Sequence, residues 1–549
     1  MDIYNRTIAY LREKIRLALK TFWIFLAIMV IGIFLRTYHF SSWMVFNPDQ
    51  ARDALLVDDV LSGKSSALIL GPEAGNTFFD LGPWFYHLEI LSAKIFGAEP
   101  WKLAIPDLVF SILTIPLFYF FVRKYFSINL SLTITFLLSI SYFMVRYSRF
   151  AFNPNSVPFF VLVFLFGVLY LLEKNNKKSF TGAALIGVVI GVGMQLHILL
   201  FFIMPTVAGV FFLFLLFKKP SAWPFIGKIL MIVFFILLTN IGQIAYGLKN
   251  GWLNNERFRL AITDSAGGND TSRNLPMDLL CQSQANLHII SSLGNSEECN
   301  FYKVYHRATT KGLSGLRQED KPTFILMLLG IAYSLGGYIL LGFFWHKEKD
   351  ERRKNFLAAV GVYGLVSLVA MFPIITQASL RYYIVSFFLP FIFLAVWLKF
   401  FNRLANGEIR RAALLIMIAF LGFFQLQKLN SVRADFQSLR ASDEHYAIWG
   451  EVENMASYIA ENSNGEDVYI AGKRDYFSRF YKPLLYAGKA VGVNIQRGDK
   501  SEEIPAGAHI FFIQDAASSK KMNSKKTFMG HLVENYKIFG NVAIINLKK

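Results

Sequence analysis

LLFFIMPTVAGVFFLFLLF, residues 199–217, holds no charge along its whole length and stops at Lys218-Lys219. A helix rises about 1.5 Å per residue, so this run matches the roughly 30 Å of hydrocarbon in a bilayer. Working outward, comparable runs lie near 20–37, 104–122, 128–145, 156–173, 181–197, 225–246, 323–345, 355–373, 382–401 and 411–428, about eleven in all. The composition agrees, with 54% of the 549 residues hydrophobic and only 17% charged. A single soluble core rarely exceeds about 250–300 residues, so lipid must solvate much of the apolar surface. The 55 Phe and 24 Tyr suit acyl-chain contact and interfacial aromatic belts. Together these features define a multi-spanning α-helical membrane protein.

The formal net charge of +18 would point to nucleic acid in a soluble protein, but here Lys and Arg gather at the ends of the apolar runs. They are topology signals, and no nucleic-acid partner is expected. With Arg6, Arg12, Lys14, Arg16 and Lys20 in the cytoplasm, five later clusters fall on the same side. These are Arg123-Lys124, Lys174 with Lys177-Lys178, Lys218-Lys219, Lys347 to Lys354, and Arg403 with Arg410-Arg411, an arrangement that obeys the positive-inside rule. The parity depends on Pro83–Phe96, which is short, contains His87, Glu89 and Lys94, and sets Trp84, Leu88, Leu91 and Ile95 in a stripe at helical spacing. It is assigned to the interface, because as a span it would send every later cluster outside. Phe22–Leu35 follows a basic tail without a small-residue cleavage site and is taken as a retained anchor. The expected location is the plasma (inner) membrane, multi-pass, with the N-terminus cytoplasmic and the C-terminal domain extracytoplasmic.

The organisation that follows is a cytoplasmic basic tail over 1–19, a transmembrane domain over 20–428 and an extracytoplasmic α/β domain over 429–549. Large extracytoplasmic loops occupy 38–103 and 247–321. Both cysteines, Cys281 and Cys299, lie in the second loop, where oxidation is possible, and form a disulfide candidate. In the C-terminal domain, Ile448, Val452, Met455 and Ile459 mark an amphipathic helix, and Asp467–Ala471, Ala490–Ile495, His509–Gln514 and Val542–Leu547 are expected as short strands. That domain shows no catalytic constellation, and the chain has no GxGxxG, no P-loop and no metal-spaced His/Cys cluster.

The first large loop is where chemistry is expected. It reads Phe46-Asn47-Pro48-Asp49-Gln50-Ala51-Arg52-Asp53, a helix start in which Asn47 caps, Pro48 takes the first position and Gln50 stands at capping-box spacing. Asp49 then sits in the first turn, where it complements the helix dipole or faces substrate. Asp49, Arg52 and Asp53 share one face at i, i+3 and i+4. The loop continues through Gly71-Pro72-Glu73 to Phe79-Asp80-Leu81-Gly82-Pro83-Trp84-Phe85-Tyr86, an aromatic return to the bilayer.

One span, an acidic residue opening a loop helix, the Gly82–Tyr86 segment and the Phe96-Gly97 ending resemble the GT-C superfamily. More closely, they are similar to the family 39 enzymes related to protein O-mannosyltransferases and to the aminoarabinose transferase group (ArnT-like). The resemblance continues through Tyr147-Ser148-Arg149-Phe150-Ala151-Phe152-Asn153-Pro154 and returns at Leu380-Arg381-Tyr382-Tyr383 with Pro390 following. It implies inverting transfer of a sugar from a polyisoprenyl-phosphate donor to a glycan, lipid or protein acceptor on the extracytoplasmic face, with membrane lipid around it. No further cofactor is implied, and a divalent metal is not required. Asp49 takes the family's catalytic acidic position and is assigned as base, since the acceptor hydroxyl must lose a proton as it attacks. Arg257, Arg259 and Arg381 are the candidates for the donor phosphate, against a competing role as snorkelling anchors. Arg52, Asp53, Glu73, Asp80, His87, Arg149, Asn153 and His197 are the remaining substrate-binding candidates, His197 because Met194-Gln195-Leu196-His197 breaks two spans apart.

The sequence also departs from that family. Asn153 stands where the related enzymes place a second acid, and Leu81-Gly82 follow Asp80 where ArnT-like members place a basic residue. Two other classes compete. A lipid-linked saccharide transporter or flippase would carry charges deep in several spans and symmetry between halves. An oligosaccharide polymerase or ligase is kept open by the size of the 247–321 loop.

Overall fold

The computed structural model describes all residues except 1, 67, 76, 219–220, 268–274, 295–297, 375–378, 404–406, 464, 499–503, 506–507, 521–526, 529 and 549. Among the described residues nine helices are long and apolar enough to cross a membrane, and the bent pair Leu380–Ser386 and Leu389–Phe401 makes a tenth. They form a helical bundle with a mixed α/β domain on one end. At the opposite end the basic clusters meet: Lys174 and Lys218 reach Glu351 at 3.4 and 2.9 Å, and Arg352 reaches Glu173 at 3.1 Å. The Arg353 guanidinium donates to the Tyr125 carbonyl at 3.0 Å, and the Lys399 ammonium lies 3.8 Å over the Tyr125 ring. Lys219 and the side chains of Arg6, Arg410 and Arg411 lie outside the described residues.

Several apolar runs are shorter or more broken than their hydropathy predicts. The run 128–145 is a helix only over Ile128–Ile140; it breaks at Ser141 and resumes as Tyr142–Arg146. The cause is tertiary: the Ser141 hydroxyl donates to the Ile289 carbonyl, and Gln425 accepts the Tyr142 amide at 2.6 Å. The run 225–246 breaks at Asn240 between Ala222–Thr239 and Ile241–Lys249. There the Asn240 side chain donates to the Gly191 and Ile236 carbonyls, and Gln195 donates to the Thr239 carbonyl. The run 382–401 bends by 64° ahead of Pro390. The last apolar helix, Gly407–Gln437, continues past 428.

The segment 247–321 is more than a surface loop. Its helix Leu275–Ser291 packs against Asp320–Lys347, Leu389–Phe401 and Gly407–Gln437, burying Asp278, Gln282, Gln284, Asn286 and His288. Buried polar groups need partners. Asn286 donates to Ser334 at 3.0 Å, and Gln284 both accepts from the Phe301 amide and donates to the Glu298 carbonyl. A disulfide joins Cys281 to Cys299 across 18 residues, tying this helix to the following one, Asn300–Lys311. Closing a loop of that length contributes about 3 kcal/mol. The Cys281→Ser/Cys299→Ser protein is therefore expected to show a lower melting temperature and faster amide exchange over Leu275–Ser291. Unchanged exchange there would mean that packing alone holds the helix.

The C-terminal domain contains a six-stranded sheet: β1 Val468–Gly472, β2 Ile495–Arg497, β3 His509–Asp515, β4 Thr527–Phe528, β5 His531–Phe539 and β6 Val542–Lys548. The order is β2-β1-β3-β6-β5-β4, with β1 parallel to β2 and β3 and the remaining pairs antiparallel. The amphipathic helix expected around Ile448–Ile459 is Trp449–Glu461. The expected strand Ala490–Ile495 is corrected. Ala490 ends the helix Arg474–Ala490, and only Ile495 enters a strand, because the parallel β1–β2 pair requires a crossover element between them. The domain docks by backbone pairing onto the chain just after the first helix. The Phe46 amide donates to the Ala447 carbonyl at 2.8 Å, and the Trp449 amide donates to the Met44 carbonyl at 3.0 Å.

Candidate functional site

The helix Pro48–Leu61 begins with Pro48 at its first position, and Gln50 accepts the Asn47 amide at 3.1 Å. The Asn47 side-chain oxygen is taken by the Ala447 amide at 2.9 Å, so the C-terminal domain helps fix this helix start. Asp49 follows, with its side chain 55% exposed at the domain-bearing end of the bundle. Arg52, one turn on, bridges two carboxylates: it reaches Asp49 at 3.3 Å and Asp53 at 2.7 Å. Asp53 is buried and also accepts the Tyr86 hydroxyl at 2.9 Å. Lys489 pairs with Asp58 at 3.1 Å, and Tyr486 donates to the Ala98 carbonyl at 2.6 Å, locking the helix Arg474–Ala490 of the C-terminal domain over the loop.

Beneath Asp53 lie two further buried carboxyls that sequence reading did not single out as site residues. Glu89 has neither oxygen hydrogen-bonded among the described residues, and Asp107 accepts the Phe152 amide at 3.0 Å. Burial first, then the neighbouring charges of Asp53 and Asp107, push Glu89 well above the ordinary carboxylate range, so it stays protonated. Burial likewise raises Asp53 to about 6, against the opposing pull of Arg52. Burial and then the Asp53 charge push the Tyr86 hydroxyl up, which keeps it a donor.

A pH effect on stability follows from Asp53. The folded protein holds this proton more tightly than the unfolded chain, whose value is the ordinary 3.8. The stabilisation is therefore fully present below about 4 and is lost as pH rises through about 6, a difference of roughly 3 kcal/mol. The melting temperature of the purified protein is expected to decline across that window, and Asp53→Asn should flatten the decline. A slope unchanged in Asp53→Asn would assign it to another group.

The aromatic return brings a second set of residues to the same end. Gly71 and Gly82 approach each other so closely that a Cβ on Gly71 would strike the Gly82 carbonyl, and one on Gly82 would strike the Gln195 side chain. Glu73 and Asp80 face each other across a backbone bridge; Asp80 exchanges hydrogen bonds with Asn254 and meets Arg257 at 3.5 Å. Gln195 accepts the Trp84 amide at 3.2 Å, and the next turn ends at His197, whose ring accepts the Leu199 amide. The His197 ring is buried and packs edge-on against Tyr382 at 5.6 Å. Asn153 donates to the Leu196 carbonyl at 2.7 Å, and the Arg381 guanidinium lies over the Phe152 and Tyr382 rings at 5.6 and 5.7 Å.

Direct contacts run from Asp49 through Arg52 and Asp53 to Tyr86, and separately from Asp107 through Phe152 to Arg381, while the buried Glu89 feels the charges of both Asp53 and Asp107. Arg381 is exposed and has no carboxylate partner among the described residues. The other arginines proposed for phosphate are committed, Arg257 to Asp80 and Arg259 to Glu256. Three more predicted residues stand apart. His87 contacts the Leu68 carbonyl at 3.0 Å, Glu73 accepts the Phe78 amide at 2.8 Å, and Arg149 donates to the carbonyls of Leu35, Arg36 and His39. Those last bonds satisfy open carbonyls at the end of the first helix, a structural task. Arg479 of the C-terminal domain was invisible from sequence. Burial lowers its pKa, and the Asp49 charge works against that.

Residues 80–239 match the family model described as dolichyl-phosphate-mannose-protein mannosyltransferase. That stretch contains Asp80, Glu89, Asp107, Asn153 and His197; Asp49 precedes it and Arg381 follows it. The apo oligosaccharyltransferase of Archaeoglobus fulgidus superposes with a TM-score of 0.50 at 11% identity, covering 90% of this chain and 69% of that one. ArnT from Cupriavidus metallidurans bound to undecaprenyl phosphate aligns over 96% of this chain and 98% of that one, at 10% identity and a TM-score of 0.44. The S. cerevisiae protein O-mannosyltransferase Pmt1-Pmt2 complex bound to the sugar donor aligns over 43% of this chain and 34% of that one, at 14% identity and a TM-score of 0.33. No curated protein matches the sequence.

Over residues 80–239 the chain is therefore similar to the dolichyl-phosphate-mannose-protein mannosyltransferases. Its fold as a whole is similar to that of the A. fulgidus oligosaccharyltransferase.

Proposed function

We propose that the chain is an inverting glycosyltransferase that takes its sugar from a polyisoprenyl phosphate and passes it to a hydroxyl-bearing acceptor on the extracytoplasmic face. The observation that carries this reading is the placement of an exposed carboxylate, Asp49, at the same bundle end as an arginine of uncommitted charge, Arg381. The matched family's description, which names a dolichyl-phosphate sugar, supports the donor class. The gathering of basic clusters at the opposite end supports an extracytoplasmic site by the positive-inside rule.

In this mechanism the acceptor oxygen attacks the anomeric carbon from the face opposite the lipid phosphate. Asp49 takes the hydroxyl proton as the new C–O bond forms. The bond between the anomeric carbon and the phosphate oxygen breaks, and its electron pair leaves on the lipid phosphate. Negative charge grows on that phosphate, where Arg381 stabilises it. Arg52 orients Asp49 while Asp53 holds the guanidinium from below.

The test is a donor panel on the purified full-length protein in lipid. Radiolabelled sugars on polyisoprenyl phosphates should be transferred or hydrolysed, and the product should show an inverted anomeric centre by NMR. Turnover of nucleotide sugars in place of lipid donors, or retention of configuration, would overturn the reading.

A further inference from the structure

A cavity of about 600 Å³ opens where the first helix ends, between it, the Tyr142–Arg146 turn, the last apolar helix and the linker into the C-terminal domain. Neither Asp49, Arg52 nor Arg381 lines it. Its walls have two characters. Phe34, Leu35, Val145, Leu426 and Leu429 supply an apolar floor. Phe34 and Leu426 of that floor are exposed, and so are Val30 and Phe423 on the same first and last apolar helices, the faces expected to meet acyl chains.

Around the rim the lining is basic. The lining includes the cations Arg146, Arg149, Lys428, Arg433 and Arg440 against the anions Asp435 and Asp443, with Arg149 already held by the carbonyls of Leu35, Arg36 and His39. Lys428 and Arg433 lie over the Tyr142 and Tyr38 rings at 5.6 and 5.5 Å, and with Arg440 they make no ion pair among the described residues. Trp43 is stacked between His39 at 4.4 Å and Phe436 at 5.3 Å, an aromatic cluster of the kind that marks head-group depth.

An apolar floor continuous with lipid-facing helices and a cationic rim at head-group level fit one ligand chemistry. We propose that this cavity binds a phosphate-bearing membrane lipid, its phosphate among Arg433, Arg440 and Lys428 and its alkyl chain along the floor between the first and last apolar helices. It is a second lipid site, separate from the Asp49 site and independent of the chemistry assigned there. A free phosphate would satisfy the rim and leave the floor unused; a zwitterionic lipid would fill the floor and leave the positive charge without a counterpart.

The test uses the full-length protein in phosphatidylcholine nanodiscs with a trace of photoactivatable phosphatidic acid, or of a phosphatidylcholine probe with the same chains. The phosphatidic acid probe is expected to crosslink within 34–46 and 426–446 well above the phosphatidylcholine probe. Arg433→Ala/Arg440→Ala should reduce that labelling roughly 25-fold, at about fivefold for each cation near the membrane surface. Arg433→Lys/Arg440→Lys should restore it. Equal labelling by both probes, displacement by inorganic phosphate alone, or loss in the lysine variant as well would each overturn the proposal.

Discussion

Asp49→Asn is expected to lower the turnover number by two to four orders of magnitude, the usual contribution of a positioned general base. The substitution is nearly isosteric, and Asp49 is more than half exposed, so the fold should tolerate it. The stability cost should stay within the ~0.3–1 kcal/mol of a first-turn acid at a helix N-terminus. The amide keeps an oxygen for Arg52 but cannot accept the proton of an attacking hydroxyl. The Michaelis constant for the lipid donor should therefore change little while the turnover number collapses, because the lost interaction forms only as the proton moves. Steady-state kinetics of both proteins, with matched melting temperatures, decide the point. Equal turnover would remove Asp49 from the mechanism.

Arg381→Ala is the second large effect, with kcat/KM expected to fall about 10²–10³-fold, the magnitude measured when one donor to a developing anion is removed. Arg381→Lys should recover part of the loss, because an ammonium supplies the charge without the planar fork of the guanidinium. Arg259→Ala is the control. That side chain is exposed and paired to Glu256, and surface pairs of this kind contribute little. Unchanged kinetics in Arg381→Ala would overturn its role toward the phosphate.

Much of the helical architecture was legible because it depends on local composition. A run such as 199–217 must be helical in lipid, where backbone groups have no water to bond, and Ile198–Phe217 is one continuous helix. The start of Pro48–Leu61 was equally local, since Pro48 and Gln50 act within one turn. The breaks were not legible. Ser141 and Asn240 interrupt apolar runs whose hydropathy is uniform, and each break is held by groups more than forty residues away in sequence, Ile289 and Gln425 in one case and Gly191 in the other. The stripe Trp84, Leu88, Leu91 and Ile95 was seen correctly as one helical face. Leu91 and Ile95 nevertheless point outward, while the buried face carries Tyr86 and Glu89.

The sequence alone determined a many-helix membrane chain with an α/β domain at its end and a helix starting at Pro48, because hydrophobic run length, charge clusters and helix-start residues act over a few turns; the assignment of Asp49 as base rests on the family resemblance. The tertiary structure decided which charges share an environment. It buried Glu89 within range of the charges of Asp53 and Asp107, paired Arg257 with Asp80 while giving Arg381 no carboxylate partner among the described residues, and brought Arg479 from the far end of the chain within range of the Asp49 charge. The physical reason is that an electrostatic environment depends on distance and burial in space, and neither follows from spacing along the chain.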